Sequence, residues 1–174
     1  NYLGKNIKNS GFDFDIELRI GAGSYVCGEE TAMMESIEGK RGLVRSKPPL
    51  PAISGLFKKP TLINNVVTLA TLPVILDDNE TNFSELGSNK SIGTMPFQLS
   101  GNVKQSGLIE TKFDISLEEI VEVFGSGTKT GRPIHAVQIG GPLGIYLSSS
   151  MLKTKLTIES LQEIKGSIGH GGII

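Results

Sequence analysis

The sequence lacks tryptophan and contains a single cysteine, Cys27. One thiol cannot form an internal disulfide or a four-thiolate iron–sulfur site, so we expect a reducing, cytoplasmic setting. No hydrophobic run approaches the length of a membrane-spanning helix, and the N-terminus has no signal-peptide pattern. The two histidines, His135 and His170, have no ligand residues nearby in the sequence, so no metal site is expected. The 17 basic and 18 acidic residues nearly cancel, which gives no reason to expect nucleic acid or direct membrane insertion.

Glycine, in contrast, accounts for 22 of the 174 residues, well above the usual level of about 7%. Gly21, Gly23 and Gly28 follow residues 14–20, where apolar and charged side chains alternate as in a half-buried strand. Apolar residues then recur at helical spacing over 29–38. The sequence therefore predicts a strand, a glycine turn and a helix. Backbone N–H groups in such a turn, together with the helix N-terminus, can hold an anion.

This stretch is not one of the common phosphate-binding motifs. The dinucleotide fingerprint G-x-G-x-x-G requires glycine where Val26 stands, and the Gly-Lys-Ser/Thr of a P-loop is absent. Two carboxylates, Glu29 and Glu30, lie where such motifs have none. They can complement the dipole of the predicted helix or face a bound ligand, and the spacing leaves both interpretations open.

A long connection rich in proline and glycine follows over residues 39–59. It contains no acidic residue and six cations, namely Lys40, Arg41, Arg45, Lys47, Lys58 and Lys59. Positive charge without compensation fits a phosphate site, although a solvated loop is the commoner meaning of such a run. Residues 60–76 then predict an apolar helix that starts near Asn64 or Asn65, with either as N-cap and a kink or restart at Pro73.

The second half of the chain predicts a small mixed domain. The predicted elements are strands around 97–99, over 109–115, over 134–139 and from 171, and helices that start at capping boxes in 116–119 and 160–163. Strand, strand, helix, strand, strand is the order of a β-grasp (ubiquitin-like) domain. We therefore expect the α/β fold class, with a domain boundary between residues 88 and 89.

Residues 21–36, Gly-Ala-Gly-Ser-Tyr-Val-Cys-Gly-Glu-Glu-Thr-Ala-Met-Met-Glu-Ser, resemble the first signature of the 51-kDa flavoprotein family. This family includes the NADH-oxidising subunit of respiratory complex I and the diaphorase subunits of NAD-linked hydrogenases and formate dehydrogenases. Its later landmarks follow in order as Lys-Pro-Pro at 47–49, Lys-Pro-Thr at 59–61 and Ile-Asn-Asn at 63–65. The resemblance implies a partial Rossmann-like flavin and nucleotide domain over 1–88 and a soluble-ligand-binding β-grasp domain over 89–174.

The resemblance also implies that the chain binds two cofactors, FMN and NAD(H). The implied cofactor-binding residues are Tyr25, Gly28, Glu29, Glu30, Lys47, Asn64, Asn65 and Thr68. The two glutamates would lie at the flavin and nicotinamide, Tyr25 and Gly28 would line the same pocket, and Lys47 would reach toward NADH. The remaining three would hold the FMN phosphate at a helix start. No side chain is expected to act as acid or base in the hydride step.

The chain begins at Asn1 rather than methionine and ends on Ile173 and Ile174, so we expect a piece of a longer protein. The family's glycine-rich FMN motif would precede Asn1, and its cysteine-rich 4Fe–4S motif would follow Ile174. The implied function is hydride transfer between NAD(H) and FMN, with electrons exchanged with iron–sulfur clusters of partner redox subunits. Contact with a membrane is expected only through those partners.

Two segments distinguish branches of the family. Residues 138–144 and 169–172 resemble the formate-dehydrogenase diaphorase branch more than complex I, so the sequence favours a formate dehydrogenase subunit. A complex I NADH-quinone oxidoreductase subunit or an NAD-linked hydrogenase subunit is the alternative within the class. A non-catalytic β-grasp ligand-binding or scaffold protein is the alternative from another class. Leu50 stands where many relatives have an aromatic residue that stacks on adenine.

Overall fold

The computed structural model describes residues 2–77, 83–88 and 90–174. The chain divides into two compact units, Asn1–Asn64 and Asn65–Ile174. The domain boundary predicted after residue 88 adjoins residue 89, which lies outside the described residues, and it stays a prediction. Within the described ranges, no helix is both long enough and apolar enough to cross a membrane.

The first unit is built around one helix, α1, which spans Glu30–Ile37. Short 3₁₀ turns lie at Ile7–Asn9, Tyr25–Gly28 and Leu56–Lys58. The helix ends near residue 38, where the sequence predicted, because Gly39 adopts a left-handed φ of 78° and its N–H donates to the carbonyl of Ser36 at 3.0 Å. Its inner face buries three side chains, Thr31, Ala32 and Met34.

The strand predicted over residues 14–20 is wrong. In the described part of this unit, the stretch pairs only through an isolated antiparallel bridge between Gly4 and Phe14. Alternation gives the side-chain pattern of a strand, but a strand forms only when a neighbouring strand satisfies its N–H and C=O groups. Its apolar side chains are therefore left in solvent, and Leu18 and Ile20 are 82% and 90% exposed.

The second unit opens with helix α2, which spans Val66–Leu76. Asn65 is its N-cap, as the sequence predicted, because the side-chain oxygen accepts the N–H of Val67 at 2.8 Å. The helix continues through Pro73 rather than restarting there. Pro73 lacks a backbone N–H donor, but it lies three residues before the end of the helix, so the missing hydrogen bond interrupts little of it.

The rest of the second unit is a mixed sheet with short helices. After a 3₁₀ turn at Phe83–Glu85, its elements are β1 Gly87–Ser88, β2 Ser91–Ile92, β3 Thr94–Leu99, β4 Gly107–Lys112, α3 Leu117–Glu119, a π-helical turn Ile120–Phe124, β5 Ala136–Ile139, β6 Ile145–Ser148, a 3₁₀ turn Ser149–Met151, α4 Ile158–Glu163 and β7 Gly172–Ile173. The main sheet has the order β4-β3-β7-β5-β6, and β1 pairs with β2 separately. Strands β3 and β7 are parallel at its centre, and the other neighbours are antiparallel. This is the β-grasp arrangement that the element order predicted.

The core of this unit joins the sheet to the helices. Phe97 from β3, Ile139 from β5 and Ile173 from β7 are fully buried against Leu117 and Leu161 from the two helices. The predicted capping box at 116–119 is present, since Ser116 and Glu119 satisfy each other's backbone N–H groups.

The second predicted capping box, over 160–163, is wrong. Helix α4 begins earlier, and its cap is Thr157, whose hydroxyl accepts the N–H of Ser160 at 3.1 Å. Only Ser160 has a glutamate three residues later, but Thr157 is buried, so its hydroxyl needs the bonding that a cap provides. Strand β6 was not predicted. It has four residues and only one buried side chain, Leu147, so its sequence shows no clear alternation of apolar and polar residues.

Replacement of Phe97 by alanine should destabilise the β-grasp core by about 3–5 kcal/mol, since a fully buried ring is removed. Leu108→Ala is the matched control, because Leu108 lies on the neighbouring strand and is 69% exposed. That change should cost less than about 0.5 kcal/mol. Urea unfolding followed by far-UV circular dichroism measures both, and similar losses for the two variants would contradict the assigned core.

Candidate functional site

The glycine turn before α1 lines an open cleft in the first unit, about 530 Å³ in volume. Its lining residues are Gly21, Ala22, Gly23, Ser24, Val26, Cys27, Ser36, Arg41, Gly42 and Leu43. A Cβ added at Gly21, Gly23 or Gly28 would meet nothing within 4 Å, so the backbone there faces open space. Gly42 differs, because a Cβ there would lie 2.6 Å from the sulfur of Cys27. The turn can therefore admit a ligand close to its backbone, while glycine at 42 lets the cleft wall approach closely.

Tyr25 and Gly28 form the two ends of the 3₁₀ turn Tyr25–Gly28 that leads into α1. Both are exposed, as the predicted role in a ligand pocket requires. The next residue, Glu29, is the N-cap of α1. Its Oε2 atom accepts the N–H groups of Thr31 and Ala32, both at 2.8 Å, and the hydroxyl of Thr31 at 2.6 Å. Glu29 therefore acts as a helix-start residue through its Oε2 atom, whereas its Oε1 atom takes no part in the cap.

The bonds to Glu29 also determine its charge. The hydroxyl of Thr31 is the main cause that lowers the pKa of the Glu29 carboxyl, with burial opposing and the backbone N–H groups assisting. Glu29 is therefore an anion at neutral pH. All three of these bonds use Oε2. The Oε1 atom makes no hydrogen bond with the described residues and can still accept from a ligand hydroxyl.

Glu30 forms an ion pair with Lys47 of the long connection. The two side chains are 39% and 38% exposed, so solvent screens the pair but does not separate it. The hydrogen bond to Glu30 is the main cause that raises the pKa of Lys47 above its ordinary value. The structure therefore brings Glu29, Glu30 and Lys47 together at the start of α1, which the sequence spacing of 17 residues did not require.

Arg45 ties the same connection to α1 and its C-cap at three points, and it binds Gly55 within the connection. Its backbone N–H donates to the hydroxyl of Thr31 at 2.9 Å, and its Nη1 donates to the carbonyl of Gly55 at 3.0 Å. Its Nε and Nη2 atoms bind the carboxylates of Glu35 and Glu38, the latter at 2.9 Å. These contacts hold the connection in the register that places Lys47 beside Glu30.

The expectation that six cations of the connection lack compensation is wrong for three of them. Lys40, Arg45 and Lys47 pair with carboxylates of α1 and its C-cap. The remaining three, Arg41, Lys58 and Lys59, form no ion pair within the ranges that the structure describes. Arg41 lines the cleft beside the glycine turn. Uncompensated positive charge at the cleft is thus concentrated at Arg41, which sequence reasoning counted among six without singling it out.

The other three predicted residues lie around the start of α2. Asn64 and Thr68 are exposed, and Asn65 caps the helix through Val67. The carbonyl of Thr68 accepts the hydroxyl of Thr71 at 2.9 Å. Because Asn65 satisfies one of the first N–H groups of the helix, the other early N–H groups remain available to an acceptor.

The groups that line the cleft, together with the carboxylates at the start of α1, fit a flavin nucleotide and a nicotinamide nucleotide. Open backbone N–H groups and Arg41 suit phosphate oxygens. Carboxylate acceptors at Glu29 and Glu30 suit ribose hydroxyls or a carboxamide. No group of three or more side chains that could hold a metal ion is found in the described part of the chain.

Comparison with known proteins agrees with this donor set. Residues 2–74 match the sequence profile of the Nuo51 FMN-binding domain. The chain is 48% identical over 172 residues to the NADP-reducing hydrogenase subunit HndC of Solidesulfovibrio fructosivorans, covering 99% of this chain and 35% of that subunit. It is 42% identical over 173 residues to an NADH-quinone oxidoreductase subunit of Rhizobium meliloti, covering 99% of this chain and 41% of the relative.

Solved structures give the same result. A crystal structure of an NAD⁺-reducing NiFe-hydrogenase in the H₂-reduced state matches with a TM-score of 0.75 and 34% identity. The match covers 92% of this chain and 27% of that chain. The chain thus spans 35% and 41% of the length of the two curated relatives described above.

Glu38 provides a pH-dependent test of the contacts that hold the connection. Hydrogen bonds from Lys40 and then Arg45 lower the pKa of Glu38 from 4.5 to about 2. A lowered folded-state pKa stabilises the fold above the unfolded-state value, and this stabilisation is lost as the pH falls from about 4.5 toward 2. Glu38→Gln should therefore lower the thermal midpoint at neutral pH, and the difference from wild type should shrink across that window.

Thermal unfolding of the two proteins at a series of pH values measures this effect. Glu17→Gln is the control, because among the described residues Glu17 pairs only with exposed Arg19, and the change should alter the midpoint little at any pH. A difference between Glu38→Gln and wild type that is constant from neutral pH to acid would contradict the assigned ion pairs.

Proposed function

The chain belongs to the 51-kDa flavoprotein subunit family, and on this basis we propose that the complete protein is an NAD(H):acceptor oxidoreductase subunit. Within it, this chain forms part of the site for FMN and NAD(H). The observation that carries the proposal is the open glycine turn at Gly21–Gly28, which leads directly into the carboxylates at the start of α1. This turn lies within residues 2–74, the part that matches the FMN-binding domain.

When bound, FMN and NAD(H) exchange a hydride, and the flavin exchanges single electrons with further redox centres. The residues of this chain bind and orient. The backbone of the glycine turn and Arg41 hold phosphate oxygens, and Glu29 accepts a hydroxyl at Oε1 while Oε2 keeps α1 in place. In this proposal Tyr25 and Gly28 contact the ligand from the 3₁₀ turn next to the cleft, although neither lines the cleft itself. At the start of α2, Asn64, Asn65 and Thr68 hold the FMN phosphate with the free N–H groups of the first turn.

Lys47 and Glu30 act as a pair in this proposal. Lys47 reaches the anionic part of the nicotinamide nucleotide, and Glu30 lies beside the nicotinamide. Because the two are bonded to each other, a phosphate that binds Lys47 competes with the Glu30 carboxylate. This competition weakens nucleotide binding enough for the product to leave.

The partner enzyme is one of three candidates. Residues 138–144 and 169–172 favour a formate dehydrogenase, whereas the similarity to a hydrogenase subunit at 48% identity favours a hydrogenase. A complex I quinone reductase is the third candidate, supported by the similarity to the Rhizobium meliloti protein. The complete protein should therefore be purified with its native partners and tested for NAD⁺ reduction by formate and by hydrogen.

The proposal is tested most simply by cofactor content and dehydrogenase activity. The complete protein should contain FMN and should oxidise NADH with ferricyanide as acceptor. NADPH should be assayed in parallel, because the relatives are described as acting on NADP in one case and on NADH in another. Absence of both flavin and activity in a folded protein would instead support the β-grasp scaffold alternative.

Lys47→Ala should raise the KM for NADH about tenfold to a hundredfold and leave turnover at saturation nearly unchanged, because a charged hydrogen bond is worth about 1.5–3 kcal/mol. Lys58→Ala is the matched control, since Lys58 lies in the same connection and forms no ion pair within the described ranges. Ferricyanide assays of the complete protein measure both constants. An unchanged KM in Lys47→Ala, or an equal rise in Lys58→Ala, would refute the role of Lys47.

Glu30→Gln should tighten NADH binding several-fold and raise the midpoint potential of the flavin. The change keeps the size of the side chain but removes a negative charge near the electron-accepting ring, and it frees Lys47 for the nucleotide. Asp15→Asn removes an exposed carboxylate from the same unit and serves as control. Redox titration and NADH titration measure the two quantities. If both match wild type, Glu30 has no role at the cofactors and serves only as the ion-pair partner of Lys47 at the helix start.

A further inference from the structure

A second cavity lies in the β-grasp unit, at the end of the central strands of the sheet. Its volume is about 340 Å³. Its floor consists of side chains that belong to the buried core, namely Leu99, Val103, Val121, Val137 and Ile173. Its rim consists of Ser100, Asn102, Thr128, Thr130, Arg132, Pro133, Ile134, His135, Ala136 and Ile174. The proposed flavin function does not use any of these residues.

Residues 128–135 form one wall of the cavity, and backbone contacts fix its start in place. Val103 and Thr128 form an antiparallel bridge, and the N–H of Lys104 donates to the carbonyl of Gly127 at 2.9 Å. Inside the segment, the hydroxyl of Thr128 donates to the carbonyl of Arg132 at 2.6 Å. The contacts with Val103 and Lys104 hold the start of the wall, and the hydrogen bond from Thr128 to Arg132 fixes its shape. The cavity is therefore a preformed feature of the fold.

The charges around the cavity have one sign. Among its lining residues in the described ranges, none is an aspartate or glutamate, and Arg132 alone has a permanent charge. Across the described residues, no carboxylate lies within ion-pair distance of the Arg132 side chain. The hydroxyls of Thr128 and Thr130 and the ring of His135 add polar groups to the same rim. An apolar floor below a single cationic rim is complementary to a molecule with an apolar body and one anionic head.

We propose that this cavity binds a small amphipathic carboxylate, with its hydrocarbon body against Val103, Val121 and Val137. Its carboxylate pairs with the guanidinium of Arg132. The volume lies near the lower limit of about 300 Å³ for small-molecule pockets, which restricts the ligand to a short chain or a single ring. The site belongs entirely to the second compact unit and does not depend on the flavin assignment.

Octanoate is a suitable probe, and octanol of the same length provides the uncharged comparison. Each is titrated into the complete protein with methyl-labelled valine and isoleucine, and binding is followed by NMR. We expect saturable octanoate shifts centred on the methyl groups of the cavity floor. Arg132→Gln should weaken octanoate binding about tenfold or more, because the charged hydrogen bonds to the carboxylate are lost. Octanol should bind wild type and Arg132→Gln equally.

Lys129→Gln is the matched control for charge. Lys129 lies in the same wall segment but does not line the cavity, and its Nζ atom lies 3.4 Å from the carbonyl of Gly101. This variant should bind octanoate as wild type does. Equal weakening in Lys129→Gln and Arg132→Gln would show nonspecific charge attraction and overturn the proposal. Octanoate shifts outside the cavity floor, or no saturable shifts, would also overturn it.

Discussion

Arg45 holds the long connection of the first unit against helix α1, and the arrangement of the candidate site depends on it. This unit buries few apolar side chains, with Ala32 and Met34 as its fully buried hydrophobic residues in the described chain. Hydrophobic packing alone therefore contributes little free energy to holding the connection against the helix. One arginine instead contacts a hydroxyl, a carbonyl and two carboxylates. Single surface ion pairs are weak, but several bonds from one planar guanidinium define a geometry.

The consequence for the site is a local balance of charge. The start of α1 carries two carboxylates, and the two differ in their hydrogen-bond partners. Glu29 is bonded to backbone N–H groups and a buried hydroxyl, whereas Glu30 is bonded to a half-exposed lysine. The first arrangement is local to the helix and stable, and the second can be exchanged for a ligand. In the proposed function, a nucleotide therefore binds without breaking the cap that maintains the helix.

Local chemistry explains which parts of this structure were predictable. The caps at Asn65 and Ser116, the stop at Gly39 and the β-grasp order follow from residue types within a few positions. The predicted strand over 14–20 failed because pairing is not local. The ion pairs between α1 and the connection were missed for the same reason, since the cations were counted without the carboxylates of the helix. An acid-rich helix followed by an acid-free, cation-rich connection is the signal that could have revealed them.

We propose that the glycine turn, the start of α1 and the connection held by Arg45 form one nucleotide-binding surface. Hydrogen–deuterium exchange of the complete protein, with and without saturating NADH under anaerobic conditions, tests it directly. We expect slower exchange on binding in peptides that cover residues 21–31 and 40–48, with little change in the β-grasp strands. Unchanged exchange in both peptides while NADH is bound would contradict it.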